Sequence, residues 1–230
     1  MKSFTLYNPT KLVFGAGSAS KISELVPSKA RVLLVYGGGS VKKNGSYDQT
    51  IKALGKRKVV EFSGIEPNPE YETCLKAVEV IKKNKLDFII ALGGGSVIDA
   101  CKFIASATLF KGKNPWSILT SYGTNIKEAL PIGTVLTIPA TGSEMNPNSV
   151  ISRRATVEKL AFASDLVSRN SQFSILHLRS HFRKNKFQMV LSTHSFTLWN
   201  NIAQCQPTHQ FKTDLLNRFY RHLSKKVRKR

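Results

Sequence analysis

The stretch DFIIALGGGSVIDACK, residues 87–102, decides the fold class of this chain. Its apolar run 88–92 predicts a buried strand, and the apolar residues from Val97 onward recur at helical spacing. Three glycines and Ser96 form the turn between strand and helix. Residues without a Cβ let backbone N–H groups approach an anion, and the positive end of the following helix attracts it. The stretch therefore predicts a phosphate-binding turn, the alternative being a tight turn that holds no ligand.

A second stretch, RVLLVYGGGS at residues 31–40, repeats this pattern. It is again an apolar run that ends in three glycines and a serine. Ligands of parallel sheets collect at the carboxyl ends of the strands, so two such turns on one edge indicate a dinucleotide site more than a mononucleotide site. A third turn, PATGSE at residues 139–144, follows another apolar run and adds two hydroxyls and a carboxylate.

Between these turns the chain alternates between strand and helix patterns. Repeated βα units of this length favour parallel strands, so we predict a doubly wound, parallel α/β sheet of Rossmann-like type. The predicted strands are residues 31–36, 58–62, 87–92 and 132–138, and the predicted helices are residues 47–54, 70–83 and 97–109.

The turn at residues 37–40 bears on the choice of dinucleotide. It has no GxGxxG fingerprint and no acidic residue to hold a ribose 2′-hydroxyl; Ser40 stands there, with Lys42 and Lys43 beyond it. A hydroxyl, backbone N–H groups and cations would bind a 2′-phosphate, which favours NADP over NAD. The alternative for the two lysines is a solvated pair at the start of a helix.

The composition changes near residue 167. Residues 168–230 contain 13 lysines and arginines, one acid, all five histidines and no glycine, in a chain that has 15 glycines and a net charge of +21. Glycine makes up roughly 7% of an ordinary domain, so this segment is atypical of a folded one. The three cysteines form no CxxC pair, and we find neither an apolar leader nor an apolar run of membrane-spanning length. These features predict a cytoplasmic protein with no membrane partner.

Six segments, in order and spacing, resemble the iron-containing, metal-dependent alcohol dehydrogenases, in particular their butanol dehydrogenase and NADPH-dependent aldehyde reductase branch. The segments are NPTKLVFGAG, YGGGSVKKNG, FSGIEPNPEYET, ALGGGSVIDACK, TIPATGSEMNPNSVIS and EKLAFASDLV, the last of which ends at Val167. The resemblance implies an NADP-binding domain over residues 1–176, with the fold of the N-terminal domain of dehydroquinate synthase. It is also compatible with a homodimer like that of the family.

The resemblance also implies which residues line the cofactor. At the adenine ribose it places Gly38, Gly39 and Ser40. At the pyrophosphate it places Gly93, Gly94, Gly95 and Ser96, with Asp99 in the same loop. Along the nicotinamide half it places Asn68, Thr137, Thr141, Ser143, Asn146 and Lys159. Judged from the sequence alone, Lys159 would be an ordinary surface lysine.

The metal site of this family has no counterpart in the sequence. In the family, a helical second half supplies one aspartate and three histidines to a divalent metal such as iron or zinc. The first two ligands form a D-x-x-x-H pattern, whose spacing places both side chains on one helix face. That pattern occurs nowhere in this chain, and the glycine-free basic segment stands in place of the helical domain. We therefore predict neither metal ligands nor catalytic residues here.

The basic segment becomes family-like when its codons are read in another frame. If the third base of each codon is joined to the first two bases of the next, Met189 and Val190 force a glycine, and Trp199 and Asn200 force a glutamate. The degenerate positions then permit NGVVDAFIHTMEQY, which resembles the metal-ligand helix of the family. We predict that residues 177–230 are an out-of-frame, disordered tail.

Together these features predict a truncated, inactive form of an NADP-dependent alcohol dehydrogenase or aldehyde reductase. In the intact family, a small alcohol or aldehyde such as butanol or butanal exchanges a hydride with the cofactor. One alternative is a catalytically inactive dinucleotide-binding fragment. Another is a basic protein that binds nucleic acid through its tail, which the lack of interleaved aromatic residues does not favour.

Overall fold

The computed structural model describes residues 8–15, 17–138, 140–169 and 171–176. The predicted out-of-frame tail, residues 177–230, lies outside this part of the chain. The strands are β1 (Lys11–Phe14), β2 (Arg31–Tyr36), β3 (Lys58–Phe62), β4 (Phe88–Gly93), β5 (Ile132–Leu136), β6 (Asn148–Arg153), β7 (Glu158–Ala163) and β8 (Ser171–Leu176). The helices are α1 (Ile22–Leu25), α2 (Ser40–Lys43), α3 (Ser46–Leu54), α4 (Tyr71–Asn84), α5 (Gly95–Leu109), α6 (Ser117–Thr120) and α7 (Asp165–Arg169).

Six of the strands form one parallel sheet in the order β1-β8-β5-β4-β2-β3, and β6 and β7 form a separate antiparallel hairpin. Consecutive residues of β4 alternate between the two faces of the sheet. Ile89 belongs to a core cluster with α4 and α5, and Ile90 belongs to a cluster with α1 and α3. A parallel sheet covered on both faces needs strands that are apolar throughout, which explains the unbroken apolar runs. The predicted doubly wound α/β sheet is confirmed.

The strand order reverses direction between β2 and β4. The chain runs outward from β2 to β3, then returns to β4 on the other side of β2 and continues to β5. The loops that follow β2 and β4 therefore turn away from each other and leave a crevice at the carboxyl edge of the sheet, where open α/β sheets bind ligands. Both triple-glycine turns lie at this crevice.

Several boundaries and elements differ from the prediction. β5 ends at Leu136, two residues before the predicted end, and α5 begins at Gly95, two residues before the predicted start. Glycine destabilises a helix mainly in its interior, so the third glycine can occupy the first position of α5 at little cost. Neither the β6–β7 hairpin nor β8 was predicted. Within the structure described, no helix combines the length and apolarity needed to cross a bilayer.

Candidate cofactor-binding site

The first glycine turn follows β2 and faces open space. Gly38 and Ser40 are exposed and Gly39 is half-buried. A Cβ added at Gly38 or Gly39 would meet no heavy atom within 4 Å. Gly39 has φ 93°, in the left-handed region that favours glycine. The turn can therefore bring its backbone close to a ligand at the crevice.

The second turn carries the chain from β4 into α5. Gly93 is the last residue of β4, Gly94 is the N-cap, and Gly95 and Ser96 open the helix. No side chain caps this 15-residue helix at Gly94. The first N–H groups of a helix have no partner within the helix, and the macrodipole makes that end positive. This end of α5 is thus suited to an anion such as a pyrophosphate.

The third turn follows β5 and lies against the second. Thr137 donates its backbone N–H to the carbonyl of Gly93 at 3.0 Å. A Cβ built on Gly95 would clash with the Thr141 side chain, so a larger residue there would force the third turn to shift. The structure thereby brings all three predicted turns to one edge of the sheet.

Asp99, on the second turn of α5, faces the third turn. Its Oδ1 accepts a hydrogen bond from the Ser143 hydroxyl at 2.5 Å, and its Oδ2 accepts one from the Val150 N–H at 3.1 Å. Burial raises the pKa of the Asp99 carboxyl, and the charge of Lys102 and the Ser143 bond act against that rise. Asp99 therefore joins α5 to residues 143–150.

Lys102 is a site residue that the sequence analysis did not identify. Its side chain is 1% exposed, yet its ammonium lies within hydrogen-bond distance of oxygens of Ser143, Asn146 and Asn148. Burial lowers its pKa to about 8, while Asp99 and Glu144 act to raise it. The sequence feature that could have indicated this role is a lysine within a mainly apolar helix, because a buried charge needs partners.

Asn68 and Lys159 contact each other directly. The Lys159 ammonium donates to the Asn68 Oδ1 at 2.7 Å, and this bond joins the β6–β7 hairpin to the loop before α4. Asn68 adopts φ 61°, which asparagine tolerates better than most residues. The backbone N–H of Ser152 also donates to the carbonyl of Pro69 at 2.9 Å, which holds the hairpin on this loop. No hydrogen bond in the described chain joins the pair directly to the glycine turns.

A polar cluster of Tyr36, Lys42, Tyr47 and Glu61 lies beside the first glycine turn. The hydroxyls of Tyr36 and Tyr47 donate to the two carboxylate oxygens of Glu61 at 2.7 and 2.5 Å. These bonds hold the pKa of Glu61 below its usual range. The Lys42 ammonium lies 3.5 Å from Glu61 and 4.6 Å from the centroid of the Tyr47 ring. Lys42 thus contacts an anion and an aromatic face, and its side chain stays 51% exposed in the short helix α2, as the alternative interpretation expects.

The residues of the described chain do not fit the divalent metal that the resemblance implies. Within that part, no group of three or more histidine, cysteine, aspartate or glutamate side chains could hold an ion. Cys74 and Cys101 are free and buried, and burial raises the pKa of both thiols. The glycine turns, in contrast, fit a dinucleotide, because they offer uncapped N–H groups and open space.

Comparison with known proteins identifies the family. The model of the family described as iron-containing alcohol dehydrogenase matches residues 9–177. The NADPH-dependent aldehyde reductase YqhD of Escherichia coli is 51% identical over 165 residues, which are 71% of this chain and 43% of that protein. The NADH-dependent butanol dehydrogenase A of Clostridium acetobutylicum is 39% identical over 196 residues, which are 84% of this chain and 49% of that protein.

Solved structures give the same result. The crystal structure of E. coli YqhD superposes with a TM-score of 0.73 at 49% identity and covers 76% of this chain and 45% of that one. The NADH-dependent butanol dehydrogenase A of Thermotoga maritima superposes with a TM-score of 0.71 at 43% identity and covers 77% of this chain and 44% of that one. The chain therefore spans less than half the length of these relatives.

Proposed function

The chain belongs to the iron-containing alcohol dehydrogenase family, and we propose that its residues 1–176 form the NADP-binding domain of an alcohol dehydrogenase or aldehyde reductase. The observation that carries this proposal is the convergence of three glycine-containing turns at the carboxyl edge of the sheet, two of which flank the point where the strand order reverses. One of these turns opens a long helix without a side-chain cap. Such an edge is where α/β sheets bind dinucleotides.

Each turn has a part in the proposed binding mode. The N–H groups at the start of α5 bind the pyrophosphate, because the helix dipole and the absence of Cβ atoms both favour an anion there. Gly38, Gly39 and Ser40 lie at the adenine ribose. The remaining residues border the nicotinamide half, and they are Asn68, Thr137, Thr141, Ser143, Asn146 and Lys159. Bound NADPH supplies a hydride, and these side chains orient the ring that carries it.

The substrate class follows from the family and from the names of the relatives. The E. coli relative is named an aldehyde reductase and the Clostridium relative a butanol dehydrogenase. We propose a small aldehyde or primary alcohol as the substrate of the intact enzyme. A reducing, cytoplasmic location is supported by the two buried free thiols, Cys74 and Cys101.

We expect this chain to bind NADPH more tightly than NADH. Ser40 and the nearby cations would contact a 2′-phosphate, and Ser40 stands where an acid would otherwise bind the 2′-hydroxyl of NADH. A preference of about tenfold or more is expected, since each charge-assisted hydrogen bond is worth roughly that much. Titration of NADPH and NADH fluorescence measures both dissociation constants. Tighter binding of NADH would contradict the proposed cofactor preference.

A matched pair of variants tests the same point at one position. Ser40→Asp adds a carboxylate at the proposed phosphate site and is expected to weaken NADPH binding far more than NADH binding. Ser40→Asn has nearly the same shape without the charge and serves as the control. Equal effects of the two substitutions on NADPH affinity would show that Ser40 does not adjoin the 2′-phosphate.

A second candidate function is favoured by a specific feature of the sequence. We propose that the chain as written is a catalytically inactive dinucleotide-binding fragment, because it lacks any D-x-x-x-H pattern and its glycine-free segment reads as family-like only in another frame. The nucleotide sequence around codons 165–190 tests this directly. An uninterrupted frame that cannot encode the family's metal-ligand helix in any register would contradict the out-of-frame interpretation, and metal-dependent reduction of butanal by the chain would contradict its inactivity.

A further inference from the structure

Helix α5 carries two charged side chains in an otherwise apolar sequence, GSVIDACKFIASATL. Asp99 and Lys102 are three residues apart and therefore lie on the same face of the helix. Both face the third turn and the start of β6. Their hydrogen-bond partners lie 41 to 51 residues further along the chain.

The Lys102 ammonium holds the backbone of the third turn at three points. Its three shortest contacts all go to carbonyl oxygens, those of Ser143 at 2.5 Å, Asn148 at 2.7 Å and Asn146 at 2.8 Å. An ammonium has three N–H donors, so these carbonyls can use all of them. The Ser143 hydroxyl and the Asn146 amide oxygen lie slightly farther away, at 3.0 and 3.3 Å.

Asp99 complements this arrangement from the preceding turn of α5. Both of its carboxylate oxygens accept hydrogen bonds, one from Ser143 and one from Val150. The Ser149 hydroxyl donates to the Asp99 carbonyl at 2.8 Å. Residues 143–150 are therefore fastened to the same two turns of α5 that follow the glycine-rich turn.

Packing alone does not account for a lysine at this place. Removing an ammonium from water is costly, and a methionine of similar length would fill the same space without that cost. Unlike an apolar side chain, the ammonium can bind three backbone carbonyl oxygens of an irregular segment at one point. That segment carries Ser143 and Asn146, two of the residues proposed at the nicotinamide half.

We propose that Lys102, together with Asp99, is a positioning residue that fixes the nicotinamide side of the site relative to the pyrophosphate turn. This inference rests on the proposed function. Lys102 is fully buried and acts on the cofactor only through residues 143–148. The adenine side, formed by residues 38–40, lies at the end of another strand and has no bond to Lys102. Replacement of Lys102 should therefore weaken binding of the nicotinamide half of the cofactor and leave binding of the adenine half unchanged.

Two ligands separate the halves in the full 230-residue chain. NADPH occupies both halves, and adenosine 2′,5′-bisphosphate occupies the adenine half alone. Lys102→Met is expected to weaken NADPH binding by about tenfold or more, the scale of lost hydrogen bonds to a charged group. It should also reduce the change in nicotinamide fluorescence at saturation. Affinity for adenosine 2′,5′-bisphosphate should change by less than about twofold, because that ligand makes no contact with the third turn.

A milder pair of variants keeps the inference testable if Lys102→Met does not fold. Ser149→Ala removes the hydroxyl that donates to the Asp99 carbonyl at 2.8 Å, and Ser149 is not one of the residues proposed to border the nicotinamide. Ser174→Ala is the matched control, because Ser174 is equally buried and its hydroxyl makes no hydrogen bond within the described chain. Ser149→Ala should weaken NADPH binding selectively, and Ser174→Ala should not.

The outcomes distinguish failure of the proposed function from failure of the positioning role. Binding of neither ligand by the unaltered chain would overturn the proposed function, and with it this inference. Normal binding by the unaltered chain, with equal weakening of both ligands in Lys102→Met and Ser149→Ala, would overturn the positioning role alone. Unchanged NADPH affinity in both variants would also overturn the positioning role.

Discussion

Replacement of Gly94 by aspartate is expected to abolish NADPH binding and to leave the fold intact. Gly94 has φ −99° and ψ −166°, a conformation open to any residue, and an added Cβ would lie 3.7 Å from its nearest neighbour, the carbonyl oxygen of Ile138. Aspartate is also a favourable N-cap, so α5 should be slightly stabilised. Its carboxylate would stand at the proposed pyrophosphate site. Two unit charges about 4 Å apart near a protein surface repel by roughly 4 kcal/mol, which corresponds to a loss of at least about 100-fold in affinity.

Gly94→Asn is the control for this substitution. Asparagine has the shape and capping ability of aspartate without its charge, so it should reduce NADPH binding much less. Calorimetric titration with NADPH gives the affinities, and thermal unfolding confirms that both variants fold. Equal affinities of the two variants would contradict a pyrophosphate at the start of α5. Failure of both variants to fold would contradict the N-cap geometry instead.

The parts of the fold that could be predicted are those with a local signal. An apolar run followed by glycines marks both the end of a buried strand and the turn after it, so β2 and β4 were located to within a residue. β8 was missed because its six residues, SQFSIL, carry little pattern of their own. It is a strand because β1 and β5 flank it and supply hydrogen bonds on both edges. The β6–β7 hairpin likewise depends on Phe162, which packs against Phe103 of α5 at a centroid distance of 6.4 Å.

In the candidate site, too, only residues with a local sequence signal could be predicted. Glycines at the ends of strands are visible in the sequence, because their position alone indicates a turn that a ligand can approach. Lys102 could not be assigned, because its partners lie more than 40 residues away and are mostly backbone carbonyls, which every residue has. The partners of Lys42 were hidden for a similar reason: Glu61 and Tyr47 converge on it only once β3 and α3 pack beside β2.

The 230-residue chain is expected to show no metal-stimulated reduction of butanal by NADPH, even if it binds the cofactor. The family resemblance assigns the metal to an aspartate and three histidines, and the D-x-x-x-H pattern that begins this set is absent from the sequence. Without such a site no ion can stabilise the developing charge on the substrate oxygen, and that contribution is typically worth several powers of ten in rate. Absorbance of NADPH, followed with and without added iron or zinc, measures the turnover.

Repair of the reading frame supplies the matched control for this last prediction. A shift upstream of residue 188 would read an aspartate codon across Ser192 and Thr193 and a histidine codon across Phe196 and Thr197, four residues apart and therefore on one helix face. The remaining histidines should follow if the gene continues in that frame. Metal-dependent reduction of butanal should then appear in the repaired protein and not in the original. Strong metal-dependent activity in the original chain would contradict the out-of-frame interpretation, as would a stop codon within the first few codons of the shifted frame.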